Sequence, residues 1–378
     1  MLLVGGTCTG AAIGRRNREG INRMSASGAR GPARALVLTA ALALTPGISA
    51  AQMLGDTQVL AAIPSPGFPE GIAVKGHTAY VSTPSRSGTA GEGPSEIMAF
   101  DTRTGQLVRD YAIQNEDLSL DHSLNGIAFA RGNDLCILSP QLGIVRLNVK
   151  SGAQDVYAAP LPDLPRCAAV PAGTPCSPTA ADSPPLPNDI VFDREGNAYI
   201  TDSNQATIFR VPRGGGQPQI WFQDAGLDGV VGPNGIRVTP DRKRIVFAVS
   251  FDVHGTGAVY TLPLVAQPAA ADLAIFHQYA AEAPDDMAFG RSGKLYVSLA
   301  LSNQISVLDP SGGEITRYSG PASSGLPLDS PSGVAFNNAT RSLLVNNHAL
   351  FSLNAQNMVV FEIFADDRGK RLARPRLH

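Results

Sequence analysis

Six stretches of this chain open on a polar residue that is followed by a small or acidic one and then an apolar alternation. They are Glu70 in FPEGIAV, Asn125 in SLNGIAF, Asn188 in LPNDIVF, Asn234 in GPNGIRV, Asp285 in APDDMAF and Ser332 in SPSGVAF. Four of the six positions carry oxygen donors suited to a hard cation: the carboxylates of Glu70 and Asp285 and the amide carbonyls of Asn188 and Asn234. Two carboxylates balance a divalent charge and two amides add neutral donors, a mix that suits Ca2+, with water or substrate completing its roughly six to eight oxygens. Mg2+ or Mn2+ fits the same donors, and Zn2+ suits them less because no His or Cys holds any of the six positions. Asn-Gly and Asp-Asp also occur at tight turns for conformational reasons alone. Four donors in one repeated register favour the ligand reading over that one.

The six positions lie 55, 63, 46, 51 and 47 residues apart. Periods near 50 with strand-type alternation mark propeller blades. After each mark come an inner strand, a Gly or Asn turn such as Arg194-Glu195-Gly196, and a second strand ending in small polar residues. A third and fourth strand follow around another turn, as in MAFDTRTGQLVRDY and ISVLDPSGGEITRY. The expected fold is therefore all-β: a six-bladed propeller of four-stranded antiparallel blades over residues 52–366, with 367–378 as a C-terminal tail. The strand patterns TQVLAAI (Thr57 to Ile63) and MVVFEIF (Met358 to Phe364) belong to no other blade. Pairing them in one terminal blade closes the ring and removes its open edges.

This geometry sorts the loops by face. The fourth-to-first and second-to-third connections share the mouth at which the six marks converge, and the first-to-second turns lie on the opposite face. His122, His254 and His348 fall in or beside mouth loops and are the candidates for a general base or a substrate contact. The alternative for each is a pocket-wall or solvated residue. His77 lies in an opposite-face turn, His277 in an outer strand and His378 at the terminus. The long insertion from Tyr157 to Leu186 falls at the mouth, as a lid or a wall. Within it Cys167 and Cys176 are nine apart and are expected to form a disulfide in an oxidising compartment. Cys136, in the strand pattern DLCIL, reads as a small buried apolar residue.

Composition agrees with a strand-and-turn chain: 43% hydrophobic, 16% charged, 39 Gly and 29 Pro. The net charge is −2, and residues 1–51 hold six Arg and one Glu, leaving −7 on the remainder, so a nucleic-acid partner is not expected. Arg30 and Arg34, then the apolar run Ala35 to Leu44, then Ser49-Ala50-Ala51 read as a signal peptide. Residues 1–51 are thus expected to be a signal peptide with a dispensable extension, the start being Met24 and the destination periplasmic or secreted. The apolar run is too short to span a bilayer, which needs about 20 residues. The mouth loops are rich in Ala, Ser, Gly and Pro with few charges, which favours a neutral or moderately apolar small-molecule substrate.

PEG at the first blade, PNDIVFDREGNAYITDS, GPNGIRVTPD and PDDMAFGRSGKLYV followed by VLDPSGGEI are similar to the senescence marker protein-30/gluconolactonase family of six-bladed propellers, relatives of the paraoxonases and diisopropyl fluorophosphatase. The resemblance spans Glu70 to Phe364. It implies a catalytic divalent metal on Glu70, Asn188, Asn234 and Asp285, and hydrolysis of a lactone or related ester. The cation would polarise the carbonyl, and Asp285, or a water that it or a His deprotonates, would supply the nucleophile. The family's usual PDG is PDD here, so Asp286 competes with Asp285 for the ligand role. Some relatives have a His where Asn125 stands, which makes Asn125, with Asn188, a candidate to touch substrate. Paraoxonase-like relatives hold a second, structural Ca2+ through acidic residues placed like Asp189 and Asp286. Gly71 stands where a further ligand of that site is expected, so solvated channel carboxylates are the preferred reading.

No G-x-S-x-G elbow is present to suggest a nucleophilic serine. Two other readings share the fold: a strictosidine synthase-like condensing enzyme, compatible with GPNGI, and a non-catalytic ligand-binding propeller with a structural Ca2+. The second has no need for an open metal on the axis.

Overall fold

The computed structural model describes residues 52–377. The N-terminal residues expected to form a signal peptide lie outside these, as does His378. Among the described residues, 24 strands form six four-stranded antiparallel sheets, joined by loops with four short 3-10 turns. Five blades are continuous in sequence. The sixth is ordered Thr57–Ala62, Val359–Phe364, Ser342–Asn347, Pro331–Asn337, so both ends of the propeller share one sheet, with Thr57 paired to Ile363 and Ala62 to Val359. This is the closure expected from TQVLAAI and MVVFEIF.

The core is distributed around the ring. Six apolar clusters occur, each built across a blade-to-blade interface: Tyr80 and Ile97 meet Leu135 and Ile137 between blades 1 and 2, and Val81 and Phe100 meet Leu344 and Val360 where the ring closes. A second strand such as Thr78–Thr83 or Ala198–Asp202 is therefore covered on both sides, and its alternation gives way to near-continuous burial. Outer strands such as Leu107–Ala112 are mostly exposed and keep a mixed, charged sequence, which suits an edge.

The small polar residues that end the second strands stitch blade to blade at the axis. Ser82 Oγ donates to Asn125 O at 2.7 Å, Ser203 Oγ to Pro233 O at 2.7 Å, Ser250 Oγ to Pro284 O at 2.8 Å and Ser298 Oγ to Ser332 O at 2.6 Å. Asn346 Nδ2 closes the series by donating to Glu70 O at 2.8 Å. Each such buried bond contributes about 1 kcal/mol net, and an abandoned carbonyl costs about 1–3 kcal/mol.

The inner strands carry the site because they are irregular at the mark. Pairing register shifts between Pro187 and Ile190, Pro233 and Ile236, Pro284 and Met287, and Pro331 and Val334. The prolines lack an N–H and are tolerated because the inner strand is the edge facing the axis, and a bulge re-aims the residues that follow. Gly235 follows its mark because a Cβ there would stand 2.5 Å from Asp285 O in the next blade.

Two segments depart from a plain propeller. The 157–186 insertion is fastened at its base by Asp202, which accepts from Leu186 N at 3.0 Å, and by Gln205, which accepts from Leu164 N at 2.7 Å and donates to Pro162 O at 3.0 Å. Burial pushes the Asp202 carboxyl up, against these donors. Cys167 and Cys176 form a disulfide, and Cys136 is a free, buried thiol that burial makes harder to ionise. At the disulfide-bearing tip, Thr174 and Cys176 share a surface cavity with Trp221 and Phe222 of the outer strand of blade 3. The C-terminal residues form a strap across the opposite face. Arg291 N donates to Arg368 O at 2.6 Å, Lys370 N to Phe289 O at 2.8 Å and Arg131 N to Pro375 O at 2.9 Å, and Leu377 is buried against the blade 2–3 cluster.

Candidate metal centre and active site

Each amide mark is held by its NH2 end. Asn234 Nδ2 donates to Ser250 Oγ at 2.9 Å, and Asn188 Nδ2 donates to Ser203 Oγ at 3.1 Å. The serines are those that stitch the next blade, so the bonds that close the ring also fix the amide planes. Asn234 Oδ1 is left buried without a partner. Asp285 Oδ1 and Glu70 Oε2 are buried and unbonded in the same way. Native proteins seldom leave such atoms unsatisfied, and three acceptors from blades 1, 4 and 5 meet that description at one level of the axis.

The electrostatics point the same way. Burial first, then the neighbouring carboxylates of Glu70, Asp286 and Asp189, hold the Asp285 carboxyl well above the usual range, opposed by its contact with Asn234. A cation would reverse that balance. The donor set of Glu70, Asn188, Asn234 and Asp285 thus fits a hard divalent ion. Among the described residues no group of three or more His, Cys, Asp or Glu is gathered to hold a metal; here half the donors are amides.

The histidines separate. His348 Nδ1 stands 3.1 Å from Glu70 Oε2, close but without hydrogen-bond alignment, while its Nε2 is 2.8 Å from Ser85 O and its ring meets Phe68 edge-on at 6.0 Å. His122 is buried, with Nδ1 3.2 Å from Ser95 Oγ and Nε2 unpartnered. His254 is exposed on its loop, where its backbone N–H donates to Asp252. The structure therefore brings only His348 into contact with a mark.

Asn125 differs from the other amide marks. Its Nδ2 donates to Pro187 O and its Oδ1 accepts from Ser85 Oγ at 2.6 Å, so both ends are engaged in a link across blades 1, 2 and 3. Ser332 Oγ is turned to Pro69 O at 3.0 Å.

One residue beyond the marks, Asp189 and Asp286 take the place that glycine has in four blades. Asp189 Oδ2 accepts from Ile236 N at 2.8 Å and Asp286 Oδ2 from Val334 N at 2.8 Å, each reaching the following blade. Between them stands Arg237, whose Nη1 pairs with Asp189 Oδ2 and whose Nη2 pairs with Asp286 Oδ1 at 2.6 Å. These carboxylates are engaged by a guanidinium. Burial and Asp189 raise the Asp286 carboxyl, and Arg237 and two backbone N–H groups oppose the rise. Asp286 leaves no orphaned oxygen, whereas Asp285 does.

Two residues near the site escaped the sequence reading. Arg237 sits at an alternation position of GPNGIRV that reads as solvent-facing. Asn346, in SLLVNN, reads as the end of a strand, yet its Nδ2 holds the backbone of Glu70 and its Oδ1 is buried and unpartnered.

Solved structures share this architecture. A calcium-binding protein, regucalcin, from Agrobacterium tumefaciens aligns with a TM-score of 0.58 at 18% identity, over 85% of this chain and 97% of its own. A gluconolactonase from Xanthomonas campestris aligns at 0.54 and 16%, over 81% and 89%. A luciferin-regenerating enzyme aligns at 0.57 and 11%, over 85% and 99%. At these identities the likeness shows the fold. No curated protein sequence matches the chain significantly. The profile of the SMP-30/Gluconolactonase/LRE-like region matches residues 114–345, more than half of the chain. The chain belongs to the SMP-30/gluconolactonase/LRE-like family.

Proposed function

We propose that this protein is an exported, metal-dependent hydrolase that opens a lactone or related ester, with Ca2+ as the first-choice ion on Glu70, Asn188, Asn234 and Asp285. The observation that carries the reading is the set of three buried, unpartnered oxygens on Glu70, Asn234 and Asp285, accompanied by the serine-held amide of Asn188. A bound divalent ion supplies polarisation of an ester carbonyl and a more acidic water. Ser203 and Ser250 orient the amide carbonyls, and His348, 3.1 Å from Glu70 Oε2, packs beside that carboxylate. Asp285 is the first candidate to accept a proton from an attacking water; an ion held on it would lower its basicity, which keeps His348, His122 and His254 as the alternative bases. The names of the regucalcin and gluconolactonase neighbours agree with calcium and with lactone hydrolysis respectively. The Cys167–Cys176 disulfide agrees with an oxidising compartment. The substrate expected is a neutral or moderately apolar small molecule.

Elemental analysis of the purified protein, followed by a lactone panel with and without chelator, tests the reading. The expected result is one divalent ion per chain and lactonase activity that chelation abolishes and Ca2+ restores. Full activity in metal-stripped protein would sink it.

A further inference from the structure

At the end of the axis opposite the metal ligands, the inner strands and the C-terminal strap enclose a cavity of about 440 Å3. Its lining mixes polar groups with apolar inner-strand residues such as Ile127, Val191, Ala288 and Ala335. The neighbouring Phe129, Phe192, Phe289 and Phe336 are nearly all buried in the cores between blades. Its charged lining is all of one sign: Arg237, Arg291, Lys370, Arg371 and Arg374, with no Asp or Glu side chain. Arg237 is matched by Asp189 and Asp286. The other four take part in none of the ion pairs found among the described residues.

The nearest strap carboxylate, Asp367, is taken up by Ser292 Oγ and by Tyr296 Oη at 3.2 Å. Arg374 donates to Val74 O at 3.0 Å, and its guanidinium lies 5.3 Å from the centre of the Phe129 ring, on which Lys75 Nζ also rests at 5.2 Å. Burial and the charge of Arg371 hold Arg374 below its ordinary value, as expected of cations gathered without a counter-charge. Across the strap, a second cavity of about 350 Å3 shares Arg237, Lys370 and Arg371 but sets Asp193, Glu195 and Asp241 beside them, so its lining is mixed in sign where that of the first is not.

We propose that the first cavity binds one amphiphilic anion, a carboxylate on an apolar body, with its head at Arg371 and Arg374 and its body against the apolar residues of the inner strands. The volume lies in the range of small-ligand sites, about 300–1,000 Å3. Guanidinium pairs suit a carboxylate head. This site is independent of the metal centre and does not rest on the lactonase reading.

Calorimetric titration of the full protein with dodecanoate tests it. The expected result is one molecule bound per chain, equally in metal-loaded and chelated protein, with no binding of dodecylammonium. The variant R371A/R374A should bind about tenfold more weakly or worse, with lactone hydrolysis and metal content unchanged. The charge-keeping R371K/R374K should stay within a few-fold of the parent, which separates charge from packing of the strap. The proposal is overturned by any of four results: no dodecanoate binding at about 1 mM, loss of binding on chelation, equal binding of dodecylammonium, or lysine and alanine pairs that lose binding alike. Capture on anionic phospholipid vesicles without binding of monomeric dodecanoate would also overturn it, by pointing to a lipid surface.

Discussion

Asp285 and Asp286 are neighbours on one strand, equally acidic, and the fold uses them in opposite ways. Asp286 and its counterpart Asp189 accept backbone N–H groups from the following blades and share the Arg237 guanidinium, so their charge is answered from within the chain. Asp285 and Asn234 each keep a buried oxygen without a hydrogen-bond partner, and Glu70 Oε2 has only the unaligned His348 ring beside it. A carboxylate layer with a built-in cation is structural; a layer without one is open to a ligand from outside. One step along a bulged strand separates the two.

Removing a ligand from the open layer should have the largest effect. Asp285→Ala is expected to abolish metal binding and lower lactone hydrolysis by at least ~100-fold, about 2.7 kcal/mol of transition-state stabilisation; a variant that keeps its metal would place the ion elsewhere. Asn234→Ala should lose the metal too.

Arg237→Met should next cost about 3–5 kcal/mol of stability, read as a lowered denaturation midpoint, because it strands two buried carboxylates. It also sharpens the comparison. If an answered charge is all that distinguishes the layers, adding Asp189→Asn and Asp286→Asn should recover much of the loss.

The pH dependence of the metal-free protein follows with its sign fixed. Asp285 has a raised pKa in the folded state, so folded protein binds more protons than unfolded between the ordinary carboxylate range and the raised value. Stability of the stripped protein should therefore fall as pH rises through that window, while metal-loaded protein should lack Asp285's share of the decline. Thermal melts from about pH 4 to pH 8 check this; a gap between the two forms that does not widen with pH would contradict the assignment. The smallest effect expected is that of Ser250→Ala, about 1 kcal/mol of stability and a measurable loss of metal affinity, since it frees both the Asn234 amide and the Pro284 carbonyl.

The blades were legible because a propeller repeats a short strand–turn–strand unit whose marks recur near every 50 residues, and the closing strands stood out as patterns without a blade. The four candidate donors were legible as chemistry, residue type in register. Whether an amide in that register is free was not: Asn125 and Asn234 both precede glycine, and only Ser85, in a loop of another blade, makes the first carbonyl unavailable. Arg237 escaped because alternation tells inside from outside a sheet but not what lies along an axis that six strands share. The strap escaped because DDRGKRLARPRLH has no periodicity; the turns beneath it supply its backbone partners.

The clasp of the first strand onto the last also governs when the protein becomes itself. Gln58 bonds Glu362 across 304 positions of sequence, and the backbone of Glu70 is held by Asn346 across 276. Contacts this remote are slow to form. Glu70 gains its contacts with Asn346 and His348 only once the last blade has docked, so a nascent or truncated chain carries most of the ligands but not the finished centre. On the proposed ligand set, metal uptake would be a late event in maturation, and a bound ion would report that the circle has been completed.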